Sequence, residues 1–242
     1  MHPELMVFGA ADWPEQIALR LAKRLRRQPR LRLCLPTGDT PSPVYERLVG
    51  LSRDGLAPFG QATIVLLDEY VGLPPTDPAR CDARLARELI DRLDPPPAAY
   101  HPIAVDELSP AAAAHAHDAV AAEGLDLAVL GLGLNGHVGF NEPGSGADSP
   151  TRVVDLAPES RAAATARYGA RAAPRRGVTL GLARLLAADE LWLLVSGAGK
   201  SAVLKRVLEE VESADCPARF LRRHPKLHVL ADEDAAMPAG LA

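Results

Sequence analysis

The chain has 242 residues, 48% hydrophobic and 24% charged. These are globular values that leave room for a full core and exclude a disordered or fibrous chain. With 31 acidic against 27 basic residues the formal charge is -4, and no block of like charge stands out, which argues against a dedicated nucleic-acid binder. The opening MHPELMVFGAADWPEQ lacks a basic segment followed by an apolar one, and no apolar run is long enough to span a bilayer. Cys34, Cys81 and Cys216 are too few and too scattered for a disulfide framework or a CxxC metal site. A soluble, cytoplasmic protein with reduced thiols and no membrane contact is the expectation.

In chain order, Trp13, Ile17, Leu21 and Leu25 form one apolar helical stripe. Residues 31–35 are an apolar run of strand length, followed by a helix through Val44, Leu48 and Leu51. A second run covers 62–67, and Pro74, Pro75 and Pro78 break the loop behind it. A helix ends near Leu93 before Pro95, Pro96 and Pro97, and another covers 110–122 with His115 and Asp118 on its exposed face. Further runs lie at 125–130, 191–195 and 227–230, with a helix through Val203, Val207 and Val211 between the last two. Residues 145–176 show little periodicity, and are either a lid or a stretch whose pattern is unreadable. Strands that are apolar throughout are buried on both faces. The layout therefore predicts an α/β fold in one domain over 1–242. Its core is an open, mostly parallel sheet with right-handed crossovers and helices on both faces.

Ligands of such sheets gather beyond the carboxyl ends of the strands. After 31–35 comes Pro36-Thr37-Gly38-Asp39-Thr40-Pro41. Gly38 permits a tight turn, Thr40 suits an N-cap and Pro41 the first helical position. A helix N-terminus with free N–H groups is a ready phosphate site. The pattern also describes an ordinary strand–turn–helix connection, and the Asp39 carboxylate would repel a phosphate unless it points away. After 191–195, Ser196-Gly197-Ala198-Gly199-Lys200-Ser201 offers small residues and a cation; GxxxxGK[ST] spacing is absent, so no nucleotide loop is read here. Only four lysines occur in the chain, Lys23, Lys200, Lys205 and Lys226, and Lys200 is the one in such a loop.

After 62–67 stand Asp68 and Glu69. Neighbouring acids on a strand point to opposite sides, so one faces the crevice while the other braces the fold. The crevice carboxylate would take and return a carbon-bound proton. The densest motif follows 125–130: Gly131-Leu132-Gly133-Leu134-Asn135-Gly136-His137-Val138-Gly139-Phe140-Asn141-Glu142-Pro143-Gly144. Its glycines bring backbone close to something, His137 moves protons near neutral pH, and Glu142 orients it. The GxGxxG within it is not followed by a clean amphipathic helix, so a dinucleotide site is rejected. No second His or Cys stands at ligand spacing, and no metal is expected.

LDEYVGLP at 67–74 and GLGLNGHVGFNEPG at 131–144 closely resemble the glucosamine-6-phosphate deaminase family. PTGDTP, SGAGK and RFLRRHPKLHVLADEDAA match its order and spacing, so the resemblance covers nearly the whole chain. It implies a modified Rossmann-like sheet of the sugar-phosphate isomerase/deaminase type. The implied reaction is an aldose–ketose isomerisation coupled to deamination, giving fructose 6-phosphate and ammonia with no cofactor. By the same resemblance Asp68 shuttles a proton between C2 and C1, and His137 opens the sugar ring. Glu142 orients His137, and Asn135 sets its polarisation. Thr37, Gly38, Asp39, Thr40 and Lys200 belong to the phosphate cradle, Arg167 closes on the phosphate from the lid, and Glu69, Gly133 and Gly136 border the substrate.

The lactonase branch of the superfamily has Ser-Leu-Phe-Pro where this chain has Gly-Phe-Asn-Glu-Pro, which favours the deaminase branch. Three departures from the family pattern remain: Asn135 where some members have Asp, Asp39 in the phosphate loop, and Arg80-Cys81-Asp82 in place of a Ser-Tyr stretch. The alternatives are a 6-phosphogluconolactonase-like or other phosphosugar isomerase, and a non-catalytic phosphosugar sensor. The sensor would need a DNA-binding segment that the sequence does not display. A phosphosugar is the expected small-molecule partner. The expectation is a monomer or homo-oligomer without the C-terminal extension associated with allosteric hexameric members.

Overall fold

The computed structural model describes residues 3–168 and 174–241, with the side chains of Arg167 and Tyr168 left outside that description. The chain runs β1 (Glu4–Phe8), α1 (Trp13–Arg27), β2 (Arg32–Leu35), α2 (Ser42–Arg53), β3 (Thr63–Leu66), β4 (Asp68–Val71), α3 (Cys81–Glu88) and β5 (Ala99–His101). It continues with α4 (Pro110–Ala122), β6 (Leu127–Gly131), β7 (Arg152–Asp155), α5 (Pro158–Tyr168), β8 (Arg176–Thr179) and α6 (Leu182–Leu186). It closes with β9 (Leu191–Val195), α7 (Ser201–Glu209), β10 (Leu227–Asp232) and α8 (Glu233–Ala236).

Seven strands form one sheet in the order β1-β10-β9-β6-β2-β3-β5, and every neighbouring pair is parallel. Chain order reverses between β2 and β6, so the crevice at their carboxyl ends is the topological switch point where such sheets bind ligands. Alternate strand residues enter two separate cores. Leu33, Leu35, Ile64, Leu66, Val129 and Trp192 pack under α1 and α2, while Cys34, Val65, Ala128, Leu130, Leu193 and Val195 pack under α6 and α7. Both faces are apolar because both are covered, and the continuous apolar runs in the sequence follow from that.

Beside this sheet stands a second one, antiparallel, in the order β4-β8-β7. Its strands are short with charged ends, DEYV, RVVD and RGVT, and sequence periodicity does not reveal them. The chain passes from one sheet to the other at Leu67, whose N–H donates to Leu35 O (3.1 Å) and whose carbonyl accepts from Leu180 N (3.0 Å). Asp68, the next residue, pairs with Thr179 at the start of the antiparallel ladder.

Several expected boundaries shift. Helix α2 starts at Ser42 with Pro41 at its N-cap, so Thr40 makes no cap. Helix α7 ends at Glu209, where Glu210 turns extended, and Val211 is 84% exposed rather than part of the stripe. The stretch 145–176 contains β7 and α5 and runs into β8, while residues 169–173 lie outside the described ones.

On α4, buried His117 donates from Nε2 to Leu66 O at 2.7 Å, directly behind the β3–β4 junction. Burial, helped by the charge of His101 and opposed by this hydrogen bond, pushes its pKa down to about 4. A histidine held neutral in the fold stabilises fully above its unfolded pKa of about 6.5, and the contribution is lost as pH falls towards 4. Urea unfolding should therefore show wild type losing about 2 kcal/mol more than His117→Asn between pH 7 and pH 5. Equal losses in the two proteins would contradict a buried neutral imidazole.

Candidate active site

A cavity of about 390 Å³ opens at the switch point, within the range of small-molecule sites. Four strand ends supply its wall: Pro36 to Pro41 after β2, Leu67, Asp68 and Tyr70 at the β3–β4 junction, Gly131 to Asn135 with His137, Gly139 and Phe140 from β6 and the loop after it, and Ser196 and Lys200 after β9. Helix α3 adds Cys81 and Arg84, and α5 adds Glu159, Ser160 and Ala163. Of the sequence-predicted residues, Thr37, Gly38, Asp39, Thr40, Asp68, Gly133, Asn135, His137 and Lys200 thus share one cavity.

Asp68 is buried, at 6% exposed. Burial pushes its carboxyl up to about 7, aided by the charge of Glu142 and moderated by His137 and a hydrogen bond from the Cys81 thiol. The thiol also meets Thr37. Glu69 points the other way, as neighbouring residues on a strand must. It is 0% exposed and accepts 2.9 Å hydrogen bonds from the N–H groups of Cys81 and Asp82. Its expected place at the substrate is thereby corrected: Glu69 caps the N-terminus of α3, where a carboxylate meets free N–H groups and the positive end of the helix dipole. Arg80 pairs with it at 3.8 Å and also with Asp82 and Asp106. The Arg80-Cys81-Asp82 segment therefore belongs to the support of the β4 acids.

His137 is built into a hydrogen-bonded loop. Its Nδ1 meets Glu142 Oε2 at 3.2 Å and Ser160 Oγ at 3.3 Å. Asn135 Nδ2 donates to the same Glu142 oxygen at 3.0 Å, and Asn135 Oδ1 accepts from His137 N at 3.1 Å. Burial pushes the Glu142 carboxyl up. Its contacts with His137, Ser160 and Asn135 outweigh that and hold it below the usual range, as an anion. Glu142 stands behind the imidazole rather than on the cavity wall. An acidic anchor on one ring nitrogen fixes the tautomer and leaves the other for proton transfer.

Two cavity-lining glycines of this loop admit no side chain. A Cβ on Gly133 would stand 2.4 Å from atoms of the His137 ring, and one on Gly139, at φ +56°, would meet Thr179 Oγ1 at 2.9 Å and Asp68 Oδ2 at 3.3 Å. Gly136 does not line the cavity; it lies against Cys216 and its carbonyl accepts from Ala218 N at 2.9 Å. Its expected contact with substrate becomes a packing role. Buried Asn141 donates to Val138 O (3.1 Å) and Leu180 O (2.8 Å), tying the loop to the second sheet.

Behind the first loop, Tyr45 Oη donates to Pro36 O at 2.6 Å and steadies the 36–41 turn. Lys200 Nζ donates to Leu132 O at 2.7 Å, and burial holds its pKa below the usual lysine range. The Gly197 N–H and Ser196 hydroxyl donate to buried Asp232, at 2.9 and 2.7 Å. Asp232 fixes the Lys200 turn and also caps α8. Arg167 falls where the side chain lies outside the described residues. Arg84 and the Tyr70–Phe140 pair, whose rings lie 5.0 Å apart, join the site without a signal in the sequence. Arg84 stands i,i+4 from Glu88 on α3, which reads as an ordinary surface pair until the fold buries it. Among the described residues, no cluster of three or more His, Cys, Asp or Glu is arranged to hold a metal ion.

Residues 9–229 match the family model for glucosamine-6-phosphate isomerases/6-phosphogluconolactonase. The chain is 40% identical over 225 residues to the glucosamine-6-phosphate deaminase of Rhodopirellula baltica, covering 91% of this chain and 89% of that one. It is 39% identical over 244 residues to that of Pseudarthrobacter chlorophenolicus, covering 99% and 93%. A solved monomeric glucosamine-6-phosphate deaminase superposes with a TM-score of 0.90 at 30% identity, covering 99% of this chain and 100% of that one. The 6-phosphogluconolactonase of Thermotoga maritima shares the fold at 23% identity and TM-score 0.73, over 96% and 99% of the two chains.

Because Gly133 leaves no room beside the imidazole, Gly133→Ala should displace the ring. The expected cost is about 1–3 kcal/mol in urea unfolding, with shifted His137 ring resonances by NMR. Unmoved resonances and unchanged stability would contradict the packing described.

Proposed function

The chain belongs to the glucosamine-6-phosphate isomerase/6-phosphogluconolactonase family, and from that premise we propose that it converts glucosamine 6-phosphate to fructose 6-phosphate and ammonia in the strand-end cavity. The observation that carries this reading is one cavity lined by a desolvated carboxylate, a carboxylate-anchored histidine, threonine hydroxyls and a lysine.

Thr37, Gly38, Thr40 and Lys200 hold the phosphate. Anchoring a remote group places the reacting carbons without any contact to them, so binding energy is used for orientation. His137, with Nδ1 on Glu142, moves a proton from the anomeric hydroxyl to the ring oxygen and opens the sugar. Asp68 then takes the C2 proton of the aldehyde, giving an enolamine, and returns it to C1, while O1 gains one proton and the nitrogen gives one up. The resulting C2 imine adds water and releases ammonia, so substrate and water account for both products. A base with a pKa near the working pH suits a step in which the same group first accepts and then donates. Helix α5, with Ser160 on the histidine, covers the sugar.

Asp68→Asn should reduce ammonia release from glucosamine 6-phosphate by about 10²–10⁴-fold. In wild type, kcat/KM should fall about tenfold per pH unit below about 7 as Asp68 takes up a proton. The stability effect has the opposite sign. A carboxyl raised from 3.8 to about 7 contributes stability that is lost as pH rises through 7. Asp68→Asn should thus be more stable than wild type at pH 8, by about 2–4 kcal/mol, with the gain shrinking towards pH 4. Turnover by the folded variant would remove Asp68 from its role. Hydrolysis of 6-phosphogluconolactone without ammonia release from the amino sugar would overturn the deaminase assignment itself.

A further inference from the structure

We propose that Arg84 is a phosphate-binding residue, and that Asp39 and the substrate phosphate compete for the same edge of its guanidinium. The proposal rests on the reading above that this end of the cavity receives the phosphate.

The phosphate turn carries its own anion. Asp39 lines the cavity between Gly38 and Thr40, where the charge of a carboxylate opposes that of an incoming phosphate. Arg84 reaches the same place from α3. Its side chain is 8% exposed, and Nη2 lies 3.2 Å from Asp39 Oδ1 and 2.9 Å from Ser42 Oγ. Ser42 Oγ in turn donates to Gly38 O at 2.7 Å, so the guanidinium is coupled to the turn itself. On its other side Arg84 Nε donates to Glu88 Oε1 at 2.7 Å.

The two carboxylates differ in a way that assigns their roles. Glu88 sits one helical turn along α3, its side chain 23% exposed, and steadies a guanidinium that stays charged however deeply it is buried. The Asp39 side chain is 73% exposed, so it regains water at little cost when it lets go. A phosphate dianion offers the freed edge more charge and more acceptor oxygens than one carboxylate does, in a geometry that arginine matches. Among the described residues, Arg84 and Lys200 are the arginine and lysine side chains of the cavity wall. Both cations stand where the phosphate and Asp39 would bring negative charge together. Arg84 therefore makes an acidic residue tolerable in an anion turn, and Asp39 keeps the guanidinium paired until phosphate replaces it.

The test is calorimetric titration of inorganic phosphate into wild type, Arg84→Gln and Asp39→Asn at fixed ionic strength and pH, with thermal unfolding recorded for each. Arg84→Gln should weaken phosphate binding about tenfold or more, and Asp39→Asn should tighten it severalfold. A folded Arg84→Gln protein with wild-type affinity would overturn the assignment and leave Arg84 a brace between α2 and α3. An Asp39→Asn protein that binds phosphate no more tightly than wild type would also overturn it, as would wild type that binds no phosphate. If Arg84→Gln does not fold, Asp39→Asn decides, since its side chain is largely in water. Ammonia release by wild type is assayed alongside. Its absence, with the predicted pattern of phosphate affinities, would remove the deaminase reading and leave Arg84 as an anion ligand.

Discussion

The structure turns on the desolvation of one carboxylate. Asp68 stands where the chain leaves the parallel sheet for the antiparallel one, with the Gly139 backbone close over its oxygen and the Cys81 thiol against it. Water could solvate the charge, but the packing admits little of it, and the ionised form is costly enough to raise the pKa to about 7. A group in that state is poised to change protonation during a reaction near neutrality. Stability is lost to gain this reactivity, as is common for active-site residues.

The surrounding architecture keeps other groups aimed at the same space. Each loop on the rim has a partner buried behind it: Tyr45 behind the 36–41 turn, Asp232 behind the Lys200 turn, Glu69 behind the start of α3, and Glu142 behind His137. Arg152 adds a further brace, donating to Asn141 Oδ1 at 3.1 Å and to Ser145 Oγ at 2.7 Å. These residues set geometry without reaching the cavity wall. They are the supporting shell without which correctly chosen reactive groups sit loosely and work poorly.

Much of this was legible in the sequence, for identifiable reasons. Central strands such as Leu191–Val195 are buried on both faces, and burial on both faces writes itself as an unbroken apolar run. Edge strands β1 and β5 are only half-buried, and β4 carries two acids, so their patterns are diluted and the second sheet stayed hidden. The motif loops disclosed Asp68, His137 and Lys200 because reactive residues after a strand have few structural reasons to be there. Alternation along a strand predicted that Asp68 and Glu69 would diverge, but not which would face the crevice; the position of α3 decides that. Arg84 was illegible for the opposite reason. An arginine four residues from a glutamate on a helix is a common surface pair, and only tertiary packing turns its head into a cavity.

The most direct measurement is of the Asp68 carboxyl itself. Carbon-13 NMR of protein labelled at aspartate side-chain carboxyls, with Asp68→Asn to assign the signal, would follow its titration in the folded protein. A midpoint near 7 is the predicted result. A midpoint near 4, the value of a solvated aspartate, would mean that water reaches the carboxylate freely, and the proton-transfer role assigned to this junction would fail with it.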